Sequence, residues 1–108
     1  MAFDAYDRSL DLLRTLAALL KKLTRIDPDL AKQMRRAAQS ITQNITEANQ
    51  RTGKDRQHLF RVALGSAAEV GGCLEIALAL EYVEASELAD ALALVDRVRA
   101  MTYRLSSK

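Results

Sequence analysis

Tryptophan is missing from this 108-residue chain, and cysteine, histidine and proline occur once each. A single cysteine, Cys73, cannot close a disulfide within the chain, which fits a reducing cytoplasm. A single histidine, His58, cannot supply the repeated Glu-x-x-His pairs of di-iron bundles or the several His or Cys ligands of a zinc site. Neither G-x-x-x-x-G-K-[ST] nor G-x-G-x-x-G is present, so no nucleotide site is indicated. No uninterrupted apolar run approaches the roughly 20 residues of a membrane span. Met1-Ala2-Phe3-Asp4 lacks the basic start and apolar segment of a signal peptide. These absences predict a cytoplasmic protein without membrane contact, cofactor, metal or catalytic residues, and therefore not an enzyme. Glycine is scarce and aromatics make up 5%, which removes the turn formers and strand formers that an all-β fold needs.

Alanine and leucine are abundant instead, at about a third of the residues, and both favour helix. The length sets a single domain over residues 1–108. Apolar residues recur at helical spacing in four blocks. The first runs from about Asp4 to Thr24. Tyr6, Leu10, Leu13, Ala17, Leu20 and Thr24 form its stripe, which Leu12, Leu16, Leu19 and Leu23 widen. Asp27-Pro28 reads as a helix cap followed by a first helical position. The second helix runs from about Pro28 to Arg51, with Leu30, Met34, Ala37, Ile41, Ile45 and Ala48 facing inward. Gly53 suits the left-handed conformation after a helix end. The third block spans about Lys54 to Tyr82. One face carries Leu59, Ala63, Ser66, Val70, Leu74 and Ala77, and an adjoining face carries Phe60, Ala67, Gly71, Leu78 and Tyr82. The fourth ends near Leu105, with Leu88, Leu92, Val95, Val98, Thr102 and Leu105 inward. Four such helices joined by short turns predict an all-α, antiparallel up-down four-helix bundle. The first, third and fourth are apolar over wider arcs than one small core uses, which predicts a second buried surface between subunits.

The net charge of +2 conceals segregation. Residues 30–61 carry seven basic and two acidic side chains, whereas residues 62–96 carry seven acidic and no basic ones. Lys32, Arg35, Arg36, Arg51, Lys54, Arg56 and Arg61 are therefore the candidate contacts to an anionic partner. On the second helix Gln33, Ser40, Asn44, Glu47 and Arg51 fall within about 60° of one another beside the apolar face, where side chains bond to a neighbouring helix or subunit. Gly65 and Gly72 share one side of the third helix. A mid-helix glycine costs about 1 kcal/mol relative to alanine, which close approach of another backbone would recover.

The run Gln33-Met34-Arg35-Arg36-Ala37-Ala38-Gln39-Ser40-Ile41-Thr42-Gln43-Asn44-Ile45-Thr46-Glu47 resembles the signature Q-[LM]-R-R-A-x-x-S-I-x-x-N-I-x-E. That signature belongs to the bacterial four-helix bundle family of proteins encoded in intervening sequences of 23S ribosomal RNA genes. Phe60, Ala63, Gly65, Ser66 and Glu69 are similar to the family's F-x-x-x-A-x-G-S-x-x-E pattern. Ala48 departs from the glycine that usually follows the first motif, as does Gln50 from the small or aromatic residue common near that turn. The family is similar to the accessory variability determinant (Avd) of diversity-generating retroelements, a barrel-like homopentamer that binds nucleic acid and a reverse transcriptase. The resemblance therefore implies a homopentamer with RNA, DNA, or a reverse transcriptase or other protein as partner. Two functional expectations follow. One is a non-enzymatic oligomer holding nucleic acid through a basic surface. The other is a structural or adaptor oligomer that binds a protein partner instead.

Overall fold

A computed structural model describes residues 2–107. Four helices account for nearly all of them: α1 (Phe3–Ile26), α2 (Pro28–Ala48), α3 (Gly53–Ala79) and α4 (Ala85–Ser106). Each helix packs on its two neighbours in the order α1–α2–α3–α4–α1, and the backbones of the diagonal pairs stay apart among the described residues. This is the expected up-down bundle, 43 × 22 × 19 Å in extent.

The turns explain where the helices stop. Asp27 has non-helical backbone angles, and its carboxylate accepts from the Leu30 amide at 3.1 Å. Pro28 then fills the first helical position, where its missing N–H costs nothing. α2 ends at Ala48, a turn earlier than Arg51, because the Gln50 and Arg51 amides tighten onto the carbonyls three residues back, of Glu47 and Ala48. Gly53 has φ 60° and opens α3. α3 ends at Ala79 rather than Tyr82 because Glu81 adopts φ 61°. The Tyr82 amide reaches back to the Ala77 carbonyl and the Glu81 amide to that of Leu78. This is the left-handed cap in which glycine is usual.

The core confirms α2 residue by residue: Leu30, Met34, Ala37, Ile41, Ile45 and Ala48 are all buried, with Ala31 and Ala38 beside them. α1 differs from expectation. Its buried row is Ala5, Ser9, Leu12, Leu16, Leu19 and Leu23, whereas Tyr6, Leu10, Leu13 and Leu20 are half-buried and Ala17 and Thr24 exposed. The row spaced 12, 16, 19, 23 is all leucine, so turning it inward buries more apolar area than the row containing Ala17 and Thr24. Ser9 tolerates burial because its hydroxyl donates to the Tyr6 carbonyl at 2.6 Å and accepts from Thr42 at 2.9 Å. On α3 the buried row is Phe60, Ala63, Ala67, Val70, Cys73, Leu74 and Ala77, so Leu59, Ser66 and Gly71 fall at its margin and Leu78 is exposed. On α4, Leu88, Val95, Val98 and Thr102 are buried as expected, together with Ala91 and Ser106, while Leu92 and Leu105 remain half-buried.

α3 is the unusual element. Its most apolar 18-residue window has a mean hydropathy of 1.5, long and apolar enough to cross a membrane by length and composition, yet only 33% of that window is buried in the bundle. Core helices share that composition when they are covered; this one leaves Val62 and Ile76 in solvent, Ile76 at 47% exposure.

Candidate nucleic-acid interface

The seven basic residues singled out from the sequence do not form one patch. Lys32, Arg35 and Arg36 lie in the first turns of α2, whereas Arg51, Lys54, Arg56 and Arg61 gather around the α2–α3 turn. Nineteen residues separate Lys32 from Arg51, about 28 Å along the bundle at 1.5 Å per residue. The two groups also differ in what holds them. Arg51 pairs with Glu47 and Asp55, both at 3.1 Å. The Arg56 guanidinium lies 4.8 Å from the centre of the Phe60 ring and donates to the Ala48 carbonyl. Arg61 donates to the Ser106 carbonyl, fastening α3 to the end of α4. These three arginines join parts of the chain to one another. Lys32, Arg35, Arg36 and Lys54 are exposed and make no ion pair or hydrogen bond among the described residues.

The topology adds two cations to the first group. Ser9 of α1 is bonded to Thr42 of α2, and the Ala2 amide to the Asn49 side chain at 2.9 Å. That register sets Lys21 and Arg25 level with the start of α2. Both are exposed and have no partner among the described residues. Their neighbour Lys22 pairs with Glu87 of α4 at 2.8 Å. Lys21, Arg25, Lys32, Arg35 and Arg36 thus lie exposed at one end of the bundle, within about 15 Å of its length. Asp29 is the exposed carboxylate of that region; Asp27 is engaged by Leu30 and by the Tyr82 hydroxyl at 3.0 Å. A sequence reading misses Lys21 and Arg25 because residues 1–29 are charge-balanced.

Within α2 the polar stripe reaches a neighbouring helix at one residue, Ser40. Ser40 accepts from the Ser66 hydroxyl of α3 at 2.9 Å, and the Asn44 amide donates to both the Ser40 carbonyl and hydroxyl. Glu47 is spent on Arg51, and Gln33 is exposed. Gly65 and Gly72 are exposed on the outer side of α3, and a Cβ built on either meets nothing within 4 Å. Within the chain, no second backbone approaches them. A Cβ built on Gly71, by contrast, would lie 3.4 Å from the Val95 side chain of α4.

Among the described residues no three His, Cys, Asp or Glu side chains gather as a metal site. Cys73 is buried, and burial followed by the nearby Glu69 raises its thiol pKa, so the reactive thiolate is disfavoured. The surface cavities are shallow. One of about 240 Å³ lies between Phe3 of α1 and Met101 and Arg104 of α4. Another of about 280 Å³ lies between Tyr6 and Asp7 of α1 and Asn49 and Gln50 of α2.

With this geometry in place, comparison with known proteins identifies the lineage. The family described as 23S rRNA-intervening sequence protein matches residues 1–104. The chain belongs to that family. Its bundle is similar to the crystal structure of a protein of unknown function from the S23 ribosomal protein family of Bacteroides thetaiotaomicron. The similarity has a TM-score of 0.84 at 24% identity and covers 96% of this chain and 99% of that one. No curated protein matches the chain. The intervening-sequence family assignment agrees with the motif in α2, of whose polar positions Ser40 bonds to Ser66 of α3 and Asn44 supports Ser40.

Proposed function

We infer that this intervening-sequence family member acts without catalysis, as a homo-oligomeric accessory protein that holds nucleic acid by its phosphates. The observation that carries the reading is the group of exposed cations at one end of α1 and α2, Lys21, Arg25, Lys32, Arg35 and Arg36, which have no partner among the described residues. Arg51, Arg56 and Arg61, by contrast, are engaged within the fold. Assembly is supported by the outer side of α3, where apolar Val62 and Ile76 stand beside the open glycines. The resemblance to the accessory variability determinant implies five subunits, which would repeat each cation around a ring and concentrate a modest monomer charge. Binding of this kind is weakly sequence-specific and falls steeply with salt.

Titration of the protein with labelled RNA and DNA between 50 and 200 mM salt tests this, with light scattering on the same samples. Retention at micromolar protein that weakens with salt, by a species several times the 12.0 kDa chain mass, is the expected result. Absence of retention for both nucleic acids would refute it. A stable oligomer that ignores nucleic acid would favour the second reading, an adaptor for a protein such as a reverse transcriptase. The exposed apolar residues of α3 support that alternative.

A further inference from the structure

We propose that the outer row of α3 in one copy of this chain packs along the outer row of α4 in the next, head to tail. The proposal rests on the homo-oligomeric reading above and names its contact. In a helix, the residue two places after a buried one is turned about 200° from it, to the outer side. From the buried row of α3 this picks out Val62, Gly65, Glu69, Gly72 and Ile76, all of them exposed. They are spaced alternately three and four residues apart, the spacing of a coiled-coil seam. The two glycines leave open backbone, and Val62 and Ile76 flank them with exposed apolar surface.

The other helices differ in what they turn outward. The corresponding row of α1 is charged at every position but Ala18, and that of α2 is polar throughout, from Lys32 to Gln50. α4 carries Ala93, Arg97 and Ala100, all exposed, between Asp90 and Arg104. Small, cation, small on α4 thus answers Gly65, Glu69, Gly72 on α3. Neither Glu69 nor Arg97 makes an ion pair or hydrogen bond among the described residues. Two α3 rows related by a twofold axis would bring their glycines together only with Glu69 beside its own copy, and like charges so placed repel. A head-to-tail contact between unlike surfaces avoids that.

Register makes the match specific. α3 and α4 run antiparallel, with Arg61 bonded to the Ser106 carbonyl and a Cβ on Gly71 reaching the Val95 side chain. Two residues back along α3 from Gly71 and two forward along α4 from Val95, Glu69 comes level with Arg97. Copies standing side by side at one height, bundle axes parallel, inherit this register, so Glu69 of one copy meets Arg97 of the next. Gly65 and Gly72 then fall within one residue of the levels of Ala100 and Ala93, where small residues on both helices permit close backbone approach. Direction matters as well. α3 and α4 are neighbours in the bundle, so their outer sides face about 90° apart rather than opposite ways. Repeating the contact turns at every step and closes a small ring instead of growing a filament.

The test is light scattering with sedimentation over a dilution series of the full chain, without nucleic acid. Glu69→Arg and Arg97→Glu each set like charges against one another across the contact. Each should raise the concentration at which the assembly half dissociates by roughly tenfold or more. The double variant Glu69→Arg/Arg97→Glu restores opposite charges and should return that concentration to within about threefold of the parent. Both positions are exposed in the separate chain, so the circular dichroism of the single variants should match the parent, which separates lost association from lost folding. Gln43→Glu, on the outer row of α2, should leave association unchanged. Single variants without effect, or a double variant no better than either single, would overturn the contact while leaving the homo-oligomeric reading standing. A parent that is monomeric at every concentration would remove both.

Discussion

Replacing Gly65 and Gly72 by alanine asks the most direct question of α3. In the isolated bundle the answer is fixed by helix propensity. Neither added methyl meets an atom within 4 Å, so there is no steric penalty, and each alanine gains about 1 kcal/mol by restricting the unfolded chain. The pair is thus worth about 2 kcal/mol to a monomer, or roughly 4–8 °C per site in melting temperature for a domain near this size. In an assembly whose subunits meet across α3, the same two methyls enter the contact between backbones and push the helices apart. The gain in the monomer is then opposed by lost association. Thermal unfolding at two protein concentrations about a hundredfold apart, with light scattering at each, separates the cases. The expected result is a double variant of lower molar mass than its parent, with a melting temperature that has lost its dependence on concentration. A variant that melts higher at every concentration with unchanged molar mass would show that these glycines face only water, and the reasoning about α3 would fail.

Three other perturbations probe the fold itself. Phe60→Ala removes the largest fully buried side chain and the ring beneath Arg56, and should cost about 3–5 kcal/mol in urea unfolding. Glu81→Gly relieves a left-handed residue in the α3–α4 turn and should raise stability by about 1 kcal/mol in the same assay; a loss would mean that the carboxylate has a partner role worth more than the strain. Asp27→Ala removes the α2 cap and the acceptor of the Tyr82 hydroxyl. It should cost about 1 kcal/mol or more and return Tyr82, whose pKa that bond raises, toward ordinary tyrosine titration followed by ultraviolet absorbance. A tyrosine with a raised folded pKa adds stability below the usual tyrosine range and loses it as pH rises through the folded value. The stability gap between parent and variant should therefore narrow at alkaline pH to the part due to the lost cap.

Legibility differed from helix to helix for a physical reason. α2 has a single aliphatic row, so its inward face could be read without ambiguity. α1 carries two leucine-bearing rows side by side, and local spacing cannot say which one the other helices will cover. Helix ends were legible where a residue enforces them, as Asp27, Pro28 and Gly53 do. The end of α3 was not, because Glu81 is a poor left-handed residue held there by the turn. The candidate site shows the same division. Counting charges finds Arg51, Arg56 and Arg61, and the four-residue spacing of Glu47 and Arg51 already reads as the ion pair that forms, but it cannot tell that Phe60 and two carbonyls engage the other two arginines. Lys21 and Arg25 become visible only when α1 is folded back along α2.

Because each helix packs only on its neighbours in the ring, three of the four seams join segments that are adjacent in sequence and linked by tight turns. Those seams close over short loops and cost little chain entropy. The α1–α4 seam is different: it joins opposite ends of the chain and is bridged by the Lys22–Glu87 pair. It is also the seam with the least close backbone packing, and the helix it holds in place, α1, carries Lys21 and Arg25. Native-state hydrogen exchange should accordingly find α1 opening at lower free energy than α3.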